Sequence, residues 1–220
     1  MSDEEKTGPD FGESMKRMLV GSQVQEQLFK RRQIFLWGSI DDDTARDVVQ
    51  KLLFFDSEGS QDITMYVNSP GGMISSGLAI YDAMQNLKSK VATVCMGQAA
   101  SMGAVLLAAG AKGKRSAWAN ARILIHQPLI SGSMYGPASD LQIQAEEMLR
   151  LRQGLNVTLA KHTGQALAKV EQDTDRDFFM SADEALQYGL VDEVLASNKG
   201  ASTPASPETP ASDAEAAKTE

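Results

Sequence analysis

One cysteine, two histidines and seven prolines in 220 residues leave little room for several kinds of protein. A lone Cys95 forbids an intrachain disulfide, and its apolar setting (VATVCMG) makes it a packing residue suited to a reducing compartment. His126 and His162 stand 36 positions apart, so a zinc site would need carboxylates to complete its ligand set. The most apolar stretch, Gly97 to Ala111, is interrupted by Gln98 and Ser101 and is shorter than the roughly 20 residues that cross a bilayer. No G-x-x-x-x-G-K-[ST] occurs, because GAKGKR at 110–115 has the wrong spacing, and no G-x-G-x-x-G follows a strand. Metal, dinucleotide and P-loop chemistry are therefore set aside, and no cofactor is expected.

Excess base is absent too. The formal charge is −8, which argues against nucleic acid as a partner. The acid is concentrated at the ends, with net −4 in residues 1–14 and net −2 in 197–220, leaving −2 for 15–196. The opening MSDEEKTGPD has neither a basic start nor an apolar stretch, so a cytoplasmic protein without a targeting peptide is expected. From residue 197 onward the chain is Ala, Ser, Thr, Pro and acid, which cannot bury enough surface to order itself. The expected organisation is a flexible acidic 1–14, a single domain over 15–196 and a disordered tail over 197–220.

What is present is the alternation of an α/β fold. Gln33–Trp37, Ile63–Val67, Val91–Met96 and Arg122–His126 read as buried strands, with Leu190–Leu195 a weaker last one. Asp43–Phe55 and Ile74–Leu87 carry apolar residues at helical spacing, while Met15, Met18, Leu19 and Val20 suggest only a short amphipathic turn. Ala138–Lys161 would be about 36 Å long as an unbroken helix, more than a small domain needs for its own core. Its apolar residues are expected to meet another subunit.

Three segments can carry chemistry. In GQAASMGAVLLAAGA (97–111), small residues crowd Ser101 where a strand turns into an apolar helix, a position that aims helix amides at the serine oxygen. Asn68-Ser-Pro-Gly-Gly-Met73 frees the amides of residues 71 and 72 to face a ligand. His126 ends the strand RILIH and is followed by Gln-Pro, which puts a titratable ring at a strand lip. His162, two residues before the helix-ending Gly164, is instead expected to meet the negative end of a helix dipole. Serine, histidine and a Gly-Gly turn at strand ends point jointly to nucleophilic acyl transfer. An orienting carboxylate would come from Asp173, Asp175 or Asp177, and spacing does not choose among them. With Glu184 these three also mimic a calcium loop, but Phe178 occupies the position where that loop turns on glycine.

These blocks resemble the proteolytic subunit of the ATP-dependent Clp protease, the ClpP serine peptidase family. The resemblance rests on Y-V-N-S-P-G-G (66–72), G-Q-A-A-S-M-G (97–103), A-A-G-A-K-G-K-R (108–115), I-H-Q-P (125–128) and D-T-D-R-D (173–177) ahead of F-M-S-A-D-E-A. It implies a ClpP/crotonase-like α/β fold of repeated ββα units with a long protruding handle helix. It implies a serine-type endopeptidase with Ser101 as nucleophile, His126 as general base and Asp177 as orienting carboxylate. The oxyanion donors would be the amides of Gly72 and Met102. As partners it implies self-assembly into stacked heptameric rings, an AAA+ Clp ATPase that delivers chains, and unfolded polypeptide substrates; no metal, nucleic acid or membrane is involved. The alternatives are a non-catalytic or regulatory paralogue in a mixed ring, and a crotonase-like acyl-thioester enzyme. The chain departs from the family pattern at GESMKRMLVGSQVQEQLFKRRQIFLWG (12–38) and in a Leu129–Ser139 loop about two residues longer, with Pro137.

Overall fold

The structure, a computed structural model, describes residues 11–129 and 135–196. The expected tail and the centre of the Leu129–Ser139 loop lie outside the described residues. The chain first forms helix α1 (Phe11–Lys30), which begins inside the segment expected to be flexible and is far longer than the short turn expected there. Strand β1 (Gln33–Trp37) follows over the predicted span. Helix α2 (Asp42–Ser57) is capped by Asp41, whose Oδ1 accepts the Thr44 amide at 2.8 Å, and buries Ala45, Val48, Leu52 and Phe55 at helical spacing. Next come β2 (Ile63–Ser69), α3 (Ile74–Asn86), β3 (Val91–Ala100) and α4 (Met102–Ala108), every residue of which is buried. Strands β4 (Arg115–Trp118) and β5 (Arg122–Ile125) lead to α5 (Ala138–Thr163), α6 (Leu167–Asp173), β6 (Phe178–Ser181), α7 (Ala182–Tyr188) and β7 (Glu193–Leu195).

The mixed α/β architecture is the one the alternation predicts. The seven strands join in the order β1-β2-β3-β4-β7, with β5 leaving this path to pair β3 and β6. All pairings are parallel except β5–β6. Strand β3 is four residues longer than expected because it serves two neighbours. Thr93–Cys95 pair with β4, and Gln98–Ala100 pair with β5 beyond a register shift against β2. Asn68 secures that shift, its Oδ1 accepting the Gln98 amide at 3.2 Å.

One face of the sheet (Ile34, Leu36, Met65, Val67, Cys95) is buried with the core residues of α2, α3 and α4. Burying such a side chain contributes about 1.5–3 kcal/mol. Alternate residues on the other face, Phe35, Trp37 and Trp118, stay 38%, 53% and 48% exposed, and Phe35 stacks on Tyr66 at 5.0 Å. Helix α5 has only Asn156 and Leu159 buried, so most of its length stands clear of its own subunit. Ile143 and Leu149 are exposed on it. Among the described residues no helix is long and apolar enough to cross a membrane.

Candidate active site

Ser101 joins β3 to α4 at φ 55° and ψ −124°, a left-handed turn that a non-glycine residue adopts only under strain. Its amide donates to the Leu124 carbonyl at 2.9 Å and its carbonyl accepts from Ala104 and Val105 at 3.0 and 3.2 Å, so the turn is held from both sides. The Ser101 hydroxyl makes no cap hydrogen bond to α4, which leaves it free for other work. Gly71 lies directly against the turn: a Cβ there would sit 2.7 Å from Ser101 Cβ and 2.8 Å from the Ala100 carbonyl.

Of the two amides singled out with this turn, Met102's opens α4 and has no acceptor one turn back in the helix. Around Gly72 the neighbouring amides are taken, Gly71's by Ser69 Oγ at 3.1 Å and Met73's by the Ile40 carbonyl at 2.8 Å. Gly72 and Met102 both border a cavity of about 270 Å³ that Ser101 and His126 also line. Ile74, Val105, Leu155 and Leu159 supply its apolar wall, suited to an uncharged side chain.

His126, expected to be the last residue of its strand, is the first residue past β5, and its side chain is 13% exposed. The antiparallel register pairs Ile125 with Phe178, so the next residues outward, His126 and Asp177, face one another. His126 Nδ1 is 3.3 Å from Asp177 Oδ1, yet it is buried without a hydrogen bond because the approach is not aligned for one. No hydrogen bond joins His126 to Ser101 either, although both border the cavity. Apo sites often leave such bonds loose until substrate is bound.

The other two aspartates are engaged elsewhere. Asp173 accepts from Lys169 at 2.8 Å and from the Tyr188 hydroxyl at 2.9 Å, while Asp175 pairs with Arg152 at 3.1 Å. Glu184 caps α7 through Ser181. The four carboxylates of the calcium-like spacing thus serve separate partners. Among the described residues no group of three or more His, Cys, Asp or Glu converges on a metal position.

Sequence reasoning missed the residues that hold the segment before Asp177. Gln127 donates to the Asp175 carbonyl at 2.6 Å, and the buried Thr174 hydroxyl donates to Asn156 Oδ1 at 2.9 Å. Gln127 adjoins His126 in sequence and could have been found there; Asn156 gives no local signal. His162 departs from its expected role. It does occupy the last turn of α5, but its pKa is lowered, where a helix C-terminus would raise it. Burial is the main cause, followed by the charges of Lys161 and Arg115. Burial also pushes the Cys95 thiol up to about 12, which makes it a core group and not a nucleophile.

A serine at a strained strand-to-helix turn and a histidine at a neighbouring strand end border one apolar-walled cleft, an arrangement open to nucleophilic acyl transfer. Residues 16–198 match the family model described as Clp protease. The chain belongs to the Clp protease family, and thereby to the ClpP-type serine peptidases.

Proposed function

We propose that the chain is the catalytic subunit of a compartmentalised protease, cutting unfolded polypeptides by acyl transfer through Ser101. Ser101 Oγ attacks the peptide carbonyl while His126 takes its proton and later returns it to the leaving amine. Asp177 holds the imidazole in the required tautomer and stabilises its charged form. The amides of Gly72 and Met102 receive the charge that develops on the carbonyl oxygen. The observation that carries this reading is the β5–β6 register, which sets Asp177 opposite His126 beside the cavity that Ser101 borders.

Assembly into stacked heptameric rings would bury the exposed apolar residues of α5 against other subunits. The uncovered aromatic face with Phe35, Trp37 and Trp118 offers a docking surface to a neighbour or to an AAA+ unfoldase. Such a partner would supply the work of unfolding, for which this chain has no P-loop. A cytoplasmic setting suits the single buried thiol. A fluorophosphonate should label Ser101 in the assembled protein and leave Ser101→Ala unlabelled; absence of label in every assembled state rejects the proposal.

The unaligned His126 favours a second reading, a regulatory subunit that becomes active only beside a different chain. Hydrolysis of a short fluorogenic peptide by the purified homo-oligomer separates the two, since a regulatory subunit would give none.

A further inference from the structure

At the end of the sheet opposite Ser101 lies a second cavity, of about 350 Å³. Strand β3 begins there with Val91 and ends at Ala100 beside Ser101, so ten residues, about 30 Å of strand, separate the two sites. Lys88, Lys90, Lys112 and Lys161 line it together with Arg115 and His162, and no aspartate or glutamate does. This is a dense collection of positive charge in a chain of net charge −8.

The four lysines are exposed, and none forms an ion pair among the described residues. Asp56, outside the lining, accepts the Ser89 amide at 2.8 Å and feels the charge of Lys88, which helps to lower its pKa. Arg115 is spent differently. Its guanidinium donates to both carboxylate oxygens of Asp192 at 2.6 and 2.9 Å and to the His162 carbonyl at 2.9 Å. The lowered pKa of His162, caused first by burial and then by the charges of Lys161 and Arg115, is in keeping with positive potential in the cavity wall.

Four lysines that line one concavity with no acid among the lining residues gain from a shared counter-charge. Lysine acts as a compact point charge, and the planar fork that matches a carboxylate is here already used by Asp192. A ligand with several negative charges on a compact group answers this arrangement better than a single carboxylate. The floor is apolar, with Met84 and Val91 buried, so the ligand can also carry a non-polar part.

We propose that this cavity binds a small, multiply charged phosphate ligand through Lys88, Lys90, Lys112 and Lys161, at a site separate from the catalytic cleft. The test is calorimetric titration of the full-length, assembled protein with inorganic tripolyphosphate at low salt. A saturable isotherm of one ligand per chain is expected, weakened at least about tenfold in Lys88→Ala/Lys112→Ala. Lys161→Gln should weaken it as well. Lys51→Ala, removing an exposed lysine on α2 paired with Asp47, should leave it unchanged. These side chains are exposed, so the variants keep the fold, which circular dichroism verifies. Absence of saturation, equal loss in Lys51→Ala, or full affinity in the double variant overturns the proposal. So does tighter binding of an oligoglutamate peptide than of tripolyphosphate, which would reassign the site to acidic protein segments.

Discussion

His126 and Asp177 face each other across the end of the β5–β6 ladder with Nδ1 3.3 Å from Oδ1, near enough to pair but not aligned to share a proton. Asp177 is 61% exposed, so it exerts its full effect only when water is displaced from the pair. Asp177→Asn should lower kcat on a peptide substrate by about 10³–10⁴ while moving KM little, because the amide favours the wrong tautomer. Steady-state kinetics of the assembled variant check this. A loss below tenfold would remove Asp177 from the mechanism.

Gly72 makes a sharper steric case. A Cβ at this position would fall 2.1 Å from the Ile40 carbonyl oxygen, and its φ of 154° disfavours side chains independently. Gly72→Ala should therefore displace the turn that presents the Gly72 amide and cost about 10²–10³ in kcat. Peptide hydrolysis and fluorophosphonate labelling of Ser101 should fall together. Normal turnover would show that this amide does not face the reacting carbonyl.

Of the groups whose protonation the fold opposes, His162 and Asp192 are the most buried, while Glu26, Asp41, Asp56 and Glu184 are shifted the same way at the surface. The fold holds His162 below its free value, so as the pH drops through about 6.5 the unfolded chain takes up a proton first and stability is lost. Asp192 is also held low, by its hydrogen bond from Arg115, so its contribution is present above the ordinary carboxylate value and disappears as the pH falls below about 4. Melting temperature should thus decline in two stages. His162→Gln should flatten the upper stage. Asp192→Asn should flatten the lower one and cost about 3 kcal/mol at neutral pH, because Arg115, 4% exposed, loses its counter-ion.

On α5, Ile143 and Leu149 are 63% and 62% exposed with nothing of their own subunit over them. Burying each against another chain would contribute about 1.5–3 kcal/mol per copy. The double substitution Ile143→Glu/Leu149→Glu should reduce the native mass to smaller assemblies and leave the circular dichroism spectrum unchanged. A particle of unaltered mass would mean that this helix is not an assembly surface.

The sequence was most readable where a segment's pattern and its surroundings agree. β1 and the start of α5 fall on their predicted residues because alternation and proline mark them locally. β4 was not predicted, since it is four residues long and opens with an arginine whose burial depends on distant partners, Asp192 and the His162 carbonyl. α1 was underestimated because its apolar residues are sparse, so periodicity suggested only a turn. Asp177 could not be chosen over Asp173 and Asp175 by spacing. The pairing of Ile125 with Phe178 puts Asp177 against His126, and such a long-range register leaves no local trace. The dipole expected to govern His162 is outweighed by burial, by the adjacent Lys161 and by Arg115, which arrives from elsewhere in the fold.

The conformation of Ser101 has a thermodynamic corollary. Holding a side-chain-bearing residue at φ 55°, ψ −124° costs about 1–3 kcal/mol, and glycine would escape much of that cost. Ser101→Gly should therefore melt at a higher temperature than the wild type while losing the hydroxyl proposed as the nucleophile. Resilience and the proposed reactivity are opposed at this one backbone position, so selection for heat tolerance alone would tend to discard the hydroxyl.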